Sequence, residues 1–169
     1  FRRVLFRSTT GTVSIALTTT LTEGTNSLVA NVTDAIAHAS GTSSPLVITL
    51  DTNAPAAPTL ALSSDTGLSG TDKITNINQV NITGLENGDQ LQYKINGGSY
   101  VTVSTVTGDV SITSGFIQGA NTVSVIETDV AGNTVTNSFT YTLDTVAPVI
   151  SNAQAAANML AISYFENTS

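Results

Sequence analysis

The chain has no cysteine and no tryptophan, one histidine and one methionine, and only 10% of its 169 residues carry charge. Without thiols it forms no disulfide, and redox chemistry gives no vote on its compartment. No run of 18 or more apolar residues occurs, so no segment reads as a membrane-spanning helix. General acid–base and nucleophilic catalysis usually set a His, a Cys or paired carboxylates in a pocket. The single histidine, His38, falls in a loop, where a solvated surface residue is expected. Serine and threonine are abundant, yet no Gly-x-Ser-x-Gly elbow and no glycine-rich phosphate loop accompanies them. The sequence therefore reads as non-enzymatic.

Positive charge is scarce as well. Of the five Lys and Arg residues, Arg2, Arg3 and Arg7 lie in the first eight residues, "FRRVLFRS", which resemble the conceptual translation of a common sequencing adapter. Residues 1–8 are accordingly set aside from the fold as an artefact. What remains has Lys73 and Lys94 against twelve acids, a net charge of −10 with His38 neutral. A surface this acidic repels phosphate backbones and anionic lipid, so neither nucleic-acid binding nor membrane insertion is expected. It suits cations.

What is present is repetition. "ITLDTNAPAAP" at 48–58 returns as "YTLDTVAPVI" at 141–150, with Asp51 and Asp144 93 residues apart and Pro55 and Pro148 likewise. In the same order "GTVSI" (11–15) matches "GDVSI" (108–112), "EGTNSLV" (23–29) matches "QGANTVS" (118–124), and "TDAIAHA" (33–39) matches "TDVAGNT" (128–134). Asp34 and Asp129 are 95 residues apart, so the first copy carries a two-residue insertion after Asp34. Such a period is the length of one small β-sandwich domain. The expected division is 9–52 as the C-terminal part of a preceding repeat, 53–145 as a complete domain, and 146–169 as the start of a following one. Only the middle segment is long enough to bury its own core, and the export signal is expected outside this stretch.

Within 53–145 the hydrophobic period is two, which predicts strands at 58–62, 79–83, 90–95, 99–103, 109–113, 121–127 and 137–143. "NGG" at 96–98 supplies residues that tolerate positive φ in a tight hairpin. Seven strands in about 90 residues without a helical stretch is the count of an all-β sandwich. Its connectivity puts the leading linker at the end that holds the loops between strands two and three and between six and seven. The first-to-second loop shares the other end with the exit of the last strand.

On that map Asp51, in the entry linker, is expected near Asp129 of "TDVAGN", and Asp144, at the exit, near Asp65 and Asp72 of "SSDTGLSGTDKIT". Gathered carboxylates repel one another unless a cation neutralises them, and calcium does so with oxygen ligands alone. Magnesium takes the same donors, and only geometry separates the two. Asp-Thr-Gly and Asp-x-Ala-Gly-Asn are also ordinary turn sequences in which the aspartate caps its own backbone. Weaker signals are the glycosylation triplets Asn31-Val-Thr33 and Asn81-Ile-Thr83, the second in a core strand. Tyr100, after two glycines, reads either as a stacking platform for a sugar or as an edge-strand aromatic covering the sandwich flank.

The words "LDTNAPAAPTLALSSDTGLSGTDKITN", "INQVNITGLENGDQLQYKINGG" and "NTVSVIETDVAGNTVTNSFTYTLDTVAP" resemble tandem bacterial immunoglobulin-like repeats of giant secreted adhesins and biofilm-associated surface proteins. The resemblance covers 48–148, and the tail looks like the start of a related repeat. It implies a cell-surface or secreted stalk module whose partners are neighbouring repeats, with the surface ligand bound elsewhere in the parent protein. It also implies calcium at the junctions, held by Asp51, Asp65, Asp72, Asp129 and Asp144. The first copy departs from the pattern: beside Asp34 it lacks the Gly and Asn that follow Asp129. Two other classes stay open, a carbohydrate- or protein-binding module and an accessory domain of a secreted hydrolase.

Overall fold

The structure, a computed structural model, describes residues 20–33 and 36–149. The segment "GTVSI" at 11–15, Asp34, the first eight residues and the tail from 150 lie outside the described residues. The described chain falls into two units that divide between Ala54 and Pro55. It is all β, with no helix among the described residues.

The first unit holds two antiparallel strands, β1 (Gly24–Leu28) and β2 (Leu46–Leu50), paired from Gly24↔Leu50 to Leu28↔Leu46. Between them an isolated bridge joins Thr33 to Ala39.

The second unit is a two-sheet sandwich. Its strands are β3 (Thr59–Leu62), β4 (Ile74–Thr75), β5 (Val80–Thr83), β6 (Gln90–Ile95), β7 (Val101–Val103), β8 (Val110–Ile112), β9 (Gly119–Thr128) and β10 (Thr134–Leu143). One sheet has the order β3-β5-β8 and the other β4-β10-β9-β6-β7. Every pairing is antiparallel except that of β4 with β10. All seven expected strands form. The eighth, β4, has only two residues, too few for alternation to register.

Alternation explains the core. Leu60, Val80, Ile82 and Ile112 point inward from the three-stranded sheet, and Leu91, Val123, Val125, Tyr141 and Leu143 meet them from the other. Val106, from the β7–β8 connection, is buried in the same cluster. Tyr141 packs edge-on to Phe116 at 5.4 Å and stacks on Phe139 at 6.0 Å between centroids. Burial pushes its phenol up to about 12. The β6–β7 turn has Asn96 at φ 49° and Gly97 at φ 73°, the pair of left-handed residues that matches a hairpin to strand twist, and Gly98 N–H donates to Ile95 O at 2.9 Å.

Candidate functional site

Three of the five singled-out aspartates hang from β4. Lys73 N–H donates to Asp65 Oδ2 at 3.0 Å, and Ile74 N–H to Asp72 Oδ1 at 3.0 Å. On the neighbouring strand Thr142 N–H donates to Lys73 O at 2.9 Å and Asp144 N–H to Thr75 O at 2.8 Å. The β4–β10 pairing therefore brings Asp65, Asp72 and Asp144 to one end of the sandwich. Asp65 Oδ1 is buried there without a hydrogen-bond partner.

Asp129 sits at the other end, separated from Asp144 by the ten residues of β10, roughly 30 Å at strand rise. Its Oδ1 accepts Gly132 N–H at 2.7 Å and Asn133 N–H at 2.8 Å, while Oδ2 accepts Asn133 Nδ2–H at 2.8 Å. These bonds, the Asn133 side chain foremost, hold its carboxyl below the usual aspartate range. Asp51 belongs to the first unit, where its Oδ1 accepts Asn53 N–H at 3.1 Å. All five thus accept a backbone N–H from nearby chain, the capping role their turn sequences suggest. Each carboxylate oxygen has two lone pairs, so a cap does not exhaust the oxygen a cation needs. Among the described residues no three His, Cys, Asp or Glu side chains are placed to hold a metal ion.

Two groups of functional interest were not singled out from sequence. The first is acidic. Glu127 is fully buried at the end of β9, where its Oε1 accepts Glu86 N–H at 2.8 Å and its Oε2 is buried without a partner. Burial raises its pKa; the Glu86 amide opposes the shift, and the charges of Asp89 and Glu86 add to it. Asp89 is buried too, and Glu86 Oε1 accepts Ala56 N–H at 3.1 Å. The signal was available: the phase that turns Val123 and Val125 inward carries on to Glu127.

The second group is a pair of matching hairpin ends. In the second unit Asn121 Oδ1 accepts Ile117 N–H at 2.9 Å, and its Nδ2 donates to Ile117 O at 2.7 Å and Gly119 O at 2.9 Å. In the first unit Asn26 makes the same three bonds, to Thr22 N–H at 3.1 Å, Thr22 O at 2.7 Å and Gly24 O at 2.9 Å. The registers agree: Gly24↔Leu50 in one and Gly119↔Leu143 in the other.

Tyr100 is exposed, and Lys94 Nζ lies over its ring at 4.7 Å from the centroid. His38 is exposed. Asn81 lies in β5, and its Oδ1 accepts from Gln79 Nε2 and Ser111 Oγ. Among the described residues no helix is long and apolar enough to cross a membrane.

Compared with protein-family models, residues 53–145, more than half of the chain, match one described as a bacterial Ig-like domain. No curated protein matches the chain.

Proposed function

The chain belongs to the family of bacterial Ig-like domains, and we propose that it serves as a non-enzymatic spacer in the stalk of an extracellular bacterial adhesin. The observation that carries this reading is the duplicated hairpin end. Two segments with the same register and the same asparagine bonds are what serial copies of one domain would contain. A row of sandwiches acts mechanically: limiting bend between neighbours keeps a distal head away from the cell.

Calcium at the junctions is the stiffening element of this proposal, with Asp51, Asp65, Asp72, Asp129 and Asp144 supplying oxygen. Support comes from the charge balance, from the three aspartates gathered on β4, and from the partnerless buried oxygen of Asp65. Since no three acids within the described residues are placed as a cage, such an ion would also need backbone carbonyls and water.

Calcium titration of the whole chain tests this. The expected result is measurable binding heat with a rise in thermal midpoint, both weakened by Asp144→Asn. Neither heat nor a change in midpoint at millimolar calcium would remove the ion from the mechanism and leave a spacer stiffened by protein contacts alone.

A further inference from the structure

Both hairpins carry one more shared feature, one residue before the glycine that opens the first strand. In the second unit this residue is Gln118. Its Oε1 accepts Thr145 N–H at 3.0 Å and Thr145 Oγ1–H at 3.0 Å, two residues beyond the end of β10. In the first unit the corresponding residue is Glu23. Its carboxylate accepts Thr52 N–H at 3.2 Å and also the Thr52 hydroxyl, again two residues beyond the end of the strand.

The next bond out is shared as well: Val146 N–H donates to Asp144 Oδ1 at 3.0 Å, as Asn53 N–H does to Asp51 Oδ1 at 3.1 Å. We propose that Gln118 and Glu23 are positioning residues that clasp the outgoing linker to the hairpin, so that the chain leaves each unit in a fixed direction without needing a metal ion.

The chemistry of the pair isolates what matters. Glutamine and glutamate differ in charge and in donor capacity, but each presents a planar group with an acceptor oxygen at the same reach. Only the acceptor is used on the threonine at both places. A threonine supplies both donors of the clasp, its amide and its hydroxyl: at Gln118 one oxygen accepts both, and at Glu23 the two carboxylate oxygens share the amide while Oε1 also accepts the hydroxyl. The ladder of β10 ends at Leu143, paired with Gly119; the clasp carries hydrogen bonding beyond it, where an unclasped linker would fray.

Gln118 does one thing that Glu23 cannot. Its Nε2 donates to Asp144 Oδ1 at 2.7 Å, orienting that carboxylate, whereas Glu23 adds a second negative charge to the exit that holds Asp51. The inference rests on the repeat reading above and is independent of calcium.

The test is amide hydrogen exchange on the whole chain in excess chelator, so that failure of the calcium proposal cannot be mistaken for failure of this one. Gln118→Ala should speed exchange of the Thr145 amide about three- to tenfold, the loss expected of one or two exposed hydrogen bonds. Val123 and Val125 amides should keep their rates. Gln118→Glu should retain the protection of Thr145, because Glu23 already does this work at Thr52. Unchanged Thr145 exchange in Gln118→Ala overturns the clasp. So does equal loss of protection in the alanine and glutamate variants, and so does acceleration that spreads to Val123 and Val125, which would make Gln118 an ordinary contributor to the fold.

Discussion

The β1–β2 hairpin and the β9–β10 hairpin share a register, an asparagine staple and a linker clasp, yet among the described residues only the second has a facing sheet packed on it. In β9–β10 the inward residues Asn121, Val123, Tyr141 and Leu143 are all buried. Their counterparts Asn26, Leu28, Ile48 and Leu50 are only half-buried. The ladders differ as well, with five residue pairs in the first hairpin against ten in the second. Local hydrogen-bond geometry is therefore written in the short segment itself. Stability is not: it comes from the apolar surface that a facing sheet removes from water.

Equivalent leucines would sharpen this contrast most. Leu143→Ala should destabilise the second unit by about 2–5 kcal/mol, the cost of a cavity in a packed core, seen as a lower urea midpoint. Leu50→Ala, at the same register position in the first hairpin, should leave that midpoint unchanged. Equal losses would mean that the two hairpins are equally supported.

The turn offers a smaller handle. Gly132 closes the β9–β10 turn at φ 98°; Ala37, 95 residues earlier, holds φ 69° in the corresponding loop. A side chain at such an angle costs about 1 kcal/mol, and that strain accompanies the shorter first ladder. Gly132→Ala should lower the unfolding free energy of the second unit by about 1 kcal/mol, and Ala37→Gly should slow amide exchange at Leu28 and Leu46. No response to either exchange would separate turn strain from ladder length.

The last handle is a charge. Glu127 stands where the first unit has Val32, which is exposed. Its pKa is raised on folding, so its contribution to stability is fully present below the ordinary glutamate value and is lost as pH rises through the raised one. Glu127→Gln keeps an acceptor for Glu86 N–H and removes the buried charge. The variant should melt higher than the parent at neutral pH, with the advantage closing in acid. An advantage that does not change with pH would show that the carboxyl is not the source. Asp129 runs the other way, its lowered pKa giving stability above the ordinary aspartate value that is lost as pH falls through the lowered one.

Much of this was legible in the sequence. Alternation located Val80 and Ile82 on the inner face of β5, and Val123 and Val125 on that of β9, because a strand buried on one side records its orientation every second residue. The junction phrase marked where each hairpin ends. Strand β4 escaped because two residues carry no period, and its place is set by a neighbour almost seventy residues away in the chain. For the four aspartates of the second unit, strand order set Asp65, Asp72 and Asp144 apart from Asp129 but did not give their partners: whether Asp65 and Asp72 cap a turn or face an ion depends on side-chain direction. Glu127 and Gln118 went unremarked for a different reason. Each looks like a surface residue by type, and only its position beside buried or turning backbone makes it matter.

The smallest strand has the broadest mechanical consequence. Because β4 runs parallel to the end of β10, tension applied between Pro55 and Asp144 loads the two strands in shear once β3, which precedes β4 and pairs with β5, has given way. The bonds Thr142 N–H to Lys73 O and Asp144 N–H to Thr75 O then resist together instead of opening one after another like a zip. A link of this kind yields late and all at once, where one loaded from its end would give way bond by bond.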